Sequence, residues 1–233
     1  MGLFRFCRHA LRSFVILMEQ FPAFMRLAWV CVGVSIVSTA VGERYPLLAG
    51  VTDLLARGVF AVAWLRLVAR GEMPTRMAYF RLGRREVFTA FGWMLAETFV
   101  TFPAQVIGAS LAMATGIPLA DAAMPLLGFT HLLIGAVYLL PAEAALEQES
   151  GADGWRLPDV IMKGGVAVSI AVALAWLPAN LLMEAARMLP DMEILEGLTL
   201  VQTVAIALRY LAMAITAGTV ALIWNELTAK PAP

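Results

Sequence analysis

Six apolar segments, each long enough to cross a lipid bilayer, follow one another through almost the whole of the 233-residue chain and leave no room for a soluble domain. They run over 21–41, 47–69, 87–113, 123–145, 164–185 and 199–224. A spanning helix needs about 20 predominantly apolar residues, because lipid offers its backbone no hydrogen-bond partner. Composition agrees: 61% of residues are hydrophobic and 15% charged, with a mean hydropathy of +0.80. A soluble domain averages about 45–50% and about 25%. The expected fold is therefore all-α, a polytopic transmembrane bundle of about six helices over 21–228, preceded by an amphipathic interfacial helix over 1–20.

Arginine and lysine set the expected direction of the spans. Eleven fall in segments on the side of the termini, two (Arg44 and Arg187) lie in the opposite loops, and the remaining four lie within spans. Positive charge is retained on the cytoplasmic side. Both termini are thus expected in the cytoplasm. A cleaved signal peptide is the rival reading of the first span, since Arg5, Arg8 and Arg12 precede an apolar run ending in VSTAVG. The late start of that run, and Arg26 within it, suit an uncleaved anchor. Trp64, Trp93, Trp155 and Trp224 fall near the expected inner interface, where indole rings are favoured.

Within the first 20 residues, Arg5, Arg8, His9, Arg12 and Glu19 share one arc of a helix, and Phe4, Leu11, Phe14 and Met18 lie opposite. Such a helix rests on anionic headgroups at the inner leaflet. The loop MPTRMAYFRLGRRE repeats that chemistry with Arg76, Arg81, Arg84 and Arg85 beside Tyr79 and Phe80. With zero net charge on the chain, it reads as a juxtamembrane basic loop rather than a nucleic-acid surface. The next inner loop is acidic, with Glu143, Glu147, Glu149, Asp153 and Asp159 against Arg156 and Lys163. It lacks calcium-loop spacing and reads as a solvated partner for the basic loop.

Two stretches together, WLRLVARGEMPTRMAYFRLGRRE and YLLPAEAAL followed by GWRLPDVIMKGG, resemble a diffuse group of bacterial six-span integral membrane proteins whose function is not established. The positions that carry the resemblance are Trp64, Arg66, Gly71, Glu72, Leu82, Gly83, Arg84, Arg85 and Glu86. Members of the group commonly have His where this chain has Leu65, so no role for that His transfers. The resemblance implies an inner-membrane location and a six-helix fold, with no catalytic assignment.

Enzyme chemistry is not expected. H-E-x-x-H, G-x-S-x-G and the phosphate-binding G-x-x-x-x-G-K-[ST] are all missing. GASL at 108–111 half resembles an intramembrane serine-protease motif, with Ser110 and His131 as the only conceivable pair. Neither a metal nor a cofactor is expected from two His and two Cys, and Cys7 and Cys31 sit too far apart along one helical stretch to be joined. Packing signals are plainer: Ala104, Gly108, Ala112 and Gly116 recur every fourth residue, as do Ala167, Ala171, Ala175 and Ala179. Small residues at that spacing let helices approach closely within a bundle or an oligomer.

The informative residues are charges inside spans. Asp53 and Arg57 in the second span, Glu97 in the third and Arg209 in the sixth all count to mid-membrane depth. At about 2.5–3.5 kcal/mol each, four unpaired charges cost about 10–14 kcal/mol, comparable to the whole stability of a typical protein. They must face inward and pair. The expected arrangement has Glu97 meeting Arg209, with Asp53 and Arg57, an i, i+4 pair, beside them. Pro103, Pro141 and Pro178 interrupt spans, and His131, Pro178 and Asn180 are candidates for lining a cavity. Two functions follow. The first is a non-enzymatic scaffold or accessory subunit, held in register by the ionic cluster and working with lipid, another membrane protein or a second copy of itself. The alternative is a small permease that uses Arg57, Glu97 and Arg209 for an anion or a proton. A wet cavity reaching Arg209 favours the second.

Overall fold

The computed structural model describes residues 3–73, 80–146, 157–190, 192–195 and 197–228. Arg76 and Tyr79 of the basic loop, Trp155, and residues 147–156 of the acidic loop lie outside them. The described chain is a helical bundle: α1 (Leu3–Glu19), α2 (Phe21–Val41), α3 (Pro46–Arg70), α4 (Arg84–Thr115), α5 (Leu119–Ile134), α6 (Leu139–Leu146), α7 (Leu157–Ala186) and α8 (Leu200–Thr228). A short hairpin of β1 (Glu193–Leu195) and β2 (Leu198–Thr199) joins the last two helices. Six segments are long and apolar enough to cross a membrane, at Phe21–Val41, Pro46–Arg70, Arg84–Thr115, Asp121–Leu146, Gly165–Ala186 and Leu200–Thr228. These are the six expected spans, with ends shifted by a few residues. Their outer faces carry large apolar side chains in the open, such as Phe88, Phe91, Phe99 and Phe102 along α4. The protein is a multi-pass membrane protein.

Local sequence explains the helix ends. Pro22 and Pro46 open α2 and α3, where the missing N–H costs nothing. Gly71 and Gly116 close α3 and α4 in the left-handed conformation (φ 68° and 72°), which costs glycine no steric penalty. Between α1 and α2 the backbone bonds from Gln20 to Ile16 and from Phe24 to Gln20 persist. The two helices thus form one bent rod, with the bend where Pro22 supplies no donor to the preceding turn.

Packing between neighbours closes a ring of α3, α4, α5, α7 and α8, each touching the next and α8 returning to α3. α2 packs outside this ring on α3 and α8. Phe24, Phe60, Trp64 and Tyr210 make edge and stacked ring contacts there. The polar tips in that core are satisfied: Trp64 Nε1 donates to the Ala214 carbonyl (2.7 Å), and Tyr210 Oη reaches Ser35 Oγ (2.8 Å) and the Cys31 carbonyl (3.1 Å). Trp64, Trp93 and Trp224 are therefore buried inside the bundle and do not form the interfacial belt expected of them. A hydrogen-bonded indole packs as well in a core as at a headgroup.

The fourth span is broken. A 3₁₀ turn, Gly135–Tyr138, separates α5 from α6. Pro141, the third residue of α6, lacks the N–H that would bond Val137 and its ring crowds that carbonyl, so the turn before α6 is not regular α-helix. The backbone N–H of Ala136 is taken instead by Ser169 Oγ on α7 (2.9 Å). Beyond the break, α6 packs against α3, α4, α7 and α8. The Arg70 guanidinium bonds the carbonyl of Leu146, which sets the end of α6 level with the end of α3. The short helix thus plugs the ring at the end that carries both chain termini.

Helix α1 corrects one expectation. It packs against α7 and α8 rather than lying apart from the bundle. Its surface has three faces, where the sequence suggested two. Phe6, Ala10, Ser13 and Leu17 are buried, and Ser13 Oγ donates to the Ile215 carbonyl (2.7 Å). Phe4, Leu11, Val15 and Met18 stay exposed beside a third face of Arg5, Arg8 and Arg12. Arg5 Nε and His9 Nε2 both hold Glu226 of α8, at 2.8 and 2.5 Å. Arg5 is largely exposed, so its ion pair contributes about 0–1 kcal/mol. Glu226→Ala is expected to speed amide exchange across residues 5–13 by up to about fivefold without changing α3. Hydrogen–deuterium exchange in micelles checks this, and unchanged protection in α1 would show that the buried stripe alone holds it.

Candidate functional site

The four charges meet in one chain of contacts across three helices. Arg57 stands at its centre. Its Nη1 donates to Glu97 Oε2 at 2.8 Å, and its Nε lies 3.1 Å from Asp53 Oδ2, an ion contact without hydrogen-bond alignment. Arg209 Nη1 approaches the same Asp53 oxygen at 3.8 Å. Glu97 Oε1 receives Trp93 Nε1–H at 2.8 Å. The expected direct pair of Glu97 with Arg209 is absent from this set of contacts. Glu97 belongs to Arg57 and Arg209 to Asp53, because α4 packs on α3 while α8 meets α3 from its other side.

The four are unequally committed. Side-chain exposure is 16% for Arg57 and 19% for Asp53, against 34% for Glu97 and 46% for Arg209. Arg57 has a carboxylate on each side. Both oxygens of Glu97 are occupied. Arg209 has only the long contact with Asp53 and is the more exposed guanidinium of the cluster.

Arg209, Arg57 and Glu97 border an open cleft of about 490 Å³ lined by all five helices of the ring. Ligand pockets commonly span about 300–1,000 Å³. Its remaining wall is aromatic and thioether-rich, with Trp93, Tyr138, Trp176 and His131 beside Met94, Met183 and Met213, and Thr98, Thr101, Thr216 and Asn180 add polar points. These residues span the middle of the ring helices, from Trp93 and Tyr138 near α6 to Asn180 and Met183 toward the ends away from the termini. The cleft is thus a cup closed by α6, with Trp93, Tyr138 and Thr216 on the side of α6 and Arg209 farther from it.

His131 and Asn180 line this cleft as the sequence suggested; Pro178, on the same helix, is half-buried and not among the lining residues. Asn180 Nδ2 contacts Met124 Sδ at 3.0 Å. The His131 ring is buried and stacked, with Trp176 at 4.2 Å and Tyr138 at 5.9 Å between centroids. Its Nδ1 lies 2.8 Å from the Leu127 carbonyl. A carbonyl can only accept, so Nδ1 carries a proton, and in the neutral ring Nε2 is then an acceptor. That Nε2 has no hydrogen-bond partner. Ser110, its conceivable partner in a protease reading, is exposed and bonds the Val106 carbonyl one turn back. Tyr138 and Trp176 were not singled out from sequence, and Trp93 was singled out only for the inner interface. Trp93 had a local signal, one turn before Glu97, whereas the stack on His131 is assembled from separate spans.

The motif residues after the second span serve the backbone. Arg66 clamps Glu72 through Nε (2.6 Å) and Nη2 (2.5 Å). Gly71 ends α3, and Gly83 immediately precedes α4. Arg81 and Arg84 lie between and at the start of these helices on the side of the termini, and Arg85 carries an interaction of its own. The ridge of Ala104 and Gly108 is used internally, Gly108 lying against Ala123 of α5. No protein-family description, curated protein or solved structure matches the chain.

Proposed function

We propose that the protein is a small permease of a bacterial cytoplasmic membrane, with the ring-lined cleft as its solute site and Arg209 as its anion-binding group. The cleft reaching Arg209 is the observation that carries this reading, and it outweighs the scaffold reading favoured by sequence alone. Arg209 stands half-exposed on the wall of the cavity with a single long ion contact, so its charge is available to a solute in a way that the buried Arg57 is not. The asymmetry of Lys and Arg supports cytoplasmic termini. On that orientation the cup opens toward the external side and α6 closes it from within. The basic face of α1 then meets anionic headgroups, and the resemblance to bacterial six-span proteins fits the same placement. Helix breaks placed beside a mid-membrane site are a recurring transporter device, and the break at Gly135–Tyr138 borders this one. No catalytic chemistry is assigned.

Proteoliposomes clamped with valinomycin and challenged with isosmotic potassium salts of small carboxylates, phosphate and sulfate test the proposal by light scattering. Wild type is expected to swell selectively in at least one salt, and Arg209→Gln to reduce that flux about tenfold or more, as loss of a charged contact does. Equal swelling of protein-free and loaded vesicles in every salt would return the scaffold reading to first place.

A further inference from the structure

The permease reading leaves the solute open, but the wall of the cleft narrows it. A cation finds only one carboxylate on the wall, Glu97, and that one is already paired, Oε1 accepting from Trp93 and Oε2 from Arg57, while Asp53 is not part of the wall. An anion finds Arg209. Small hydrophilic anions gain nothing from Trp93, Tyr138, Trp176 and the three methionines, which are the surfaces a flat, polarisable body packs on. Two buried polar atoms of the lining residues lack a hydrogen-bond partner, Nε of Arg57 and Nε2 of His131, and in the neutral ring Nε2 can only accept while Nδ1–H is held by Leu127. A buried acceptor left empty carries a desolvation cost that a donating ligand removes.

Resting on that reading of the cleft, we propose that its ligand is a planar aromatic acid carrying a hydroxyl or N–H donor. The acid group sits on Arg209, the ring against the aromatic wall, and the donor on Nε2 of His131. The size of the cleft is compatible with a one- or two-ring compound.

Calorimetric titration of the full chain in neutral detergent tests this with the three hydroxybenzoate isomers, benzoate, cyclohexanecarboxylate, phenol, acetate and phosphatidylglycerol as probes. At least one hydroxybenzoate is expected to bind about three- to tenfold tighter than benzoate, the margin of one added hydrogen bond, and benzoate tighter than cyclohexanecarboxylate. Arg209→Gln should weaken every acid about tenfold or more while leaving any weak phenol binding unchanged. His131→Phe keeps a flat ring in the stack but has no acceptor, so it should erase the preference for hydroxybenzoate over benzoate without removing benzoate binding. A preference that survives His131→Phe overturns the assignment. So does Arg209-dependent binding confined to acetate or to phosphatidylglycerol, although an acetate result leaves the anion cleft itself standing. Acid binding indifferent to Arg209→Gln removes both the ligand class and the anion site.

Discussion

Arg57→Leu is expected to be among the most damaging single substitutions in the bundle, at about 3–5 kcal/mol, because it strips one member from a buried ionic group and leaves the rest uncompensated. The reason lies in the order of contacts. Arg57 alone touches both carboxylates, Glu97 at 2.8 Å and Asp53 at 3.1 Å, so its loss leaves two acids on adjoining helices with only the distant Arg209 to balance them. Neutralising the acids as well, in Arg57→Leu/Asp53→Asn/Glu97→Gln, should recover much of the loss, since the cost is uncompensated charge rather than a missing side chain. Reversible unfolding in mixed micelles measures each step. The same experiment separates partners: Glu97→Gln should couple strongly with Arg57→Leu and add almost independently to Arg209→Leu. Strong coupling of Glu97 to Arg209 instead would contradict the observed order.

Gly58→Ala is expected to cost about 1–3 kcal/mol by overpacking, even though alanine is the better helix former. A Cβ at position 58 would stand 2.7 Å from the Glu86 carbonyl oxygen and closer still to the Ala90 Cβ. Both are parts of α4 that a rotamer change cannot move. Gly33 provides the control, with nothing within 4 Å of its added Cβ; Gly33→Ala should be neutral or slightly stabilising. Ala90→Gly on the Gly58→Ala background should restore part of the loss but not all, because the Glu86 carbonyl remains. Thermal unfolding in detergent reads all three. Equal behaviour of Gly58→Ala and Gly33→Ala would mean that α3 and α4 slide apart freely.

What could be read from the sequence and what could not follows the range of each interaction. Spans are written locally, as runs of about 20 apolar residues, and every one was found. The Asp53–Arg57 pair was also local, one helical turn within a single span. The partner of Glu97 was not. Counting residues gives depth, and at that depth Arg57 and Arg209 are equivalent; the choice between them depends on which helix α4 faces around the ring. The second apolar face of α1 was hidden for the same reason. A stripe that packs on protein and a stripe that faces lipid use the same residue types, as Leu17 and Leu11 show. Pro141 announced a disturbance, yet its effect falls on the preceding turn, where Gly135 packs so closely on α7 that an added Cβ would stand 3.2 Å from the Ser169 backbone. The cleft left no trace in any one segment, being the space that five helices fail to fill.

The break in the fourth span also divides the span mechanically. A continuous helix transmits a push along its whole length, so tilting one end moves the other. Here the half that lines the cleft, α5, and the half that stops it, α6, meet at a joint whose Ala136 amide is held by a hydroxyl on a third helix. Rocking α5 with α7 therefore carries the anchor of the joint along with it, while α6 stays seated between α3, α4 and α8. The wall of the cup is free to change shape without drawing its stopper, which lets the width of the site and the seal beneath it be set by different sets of contacts.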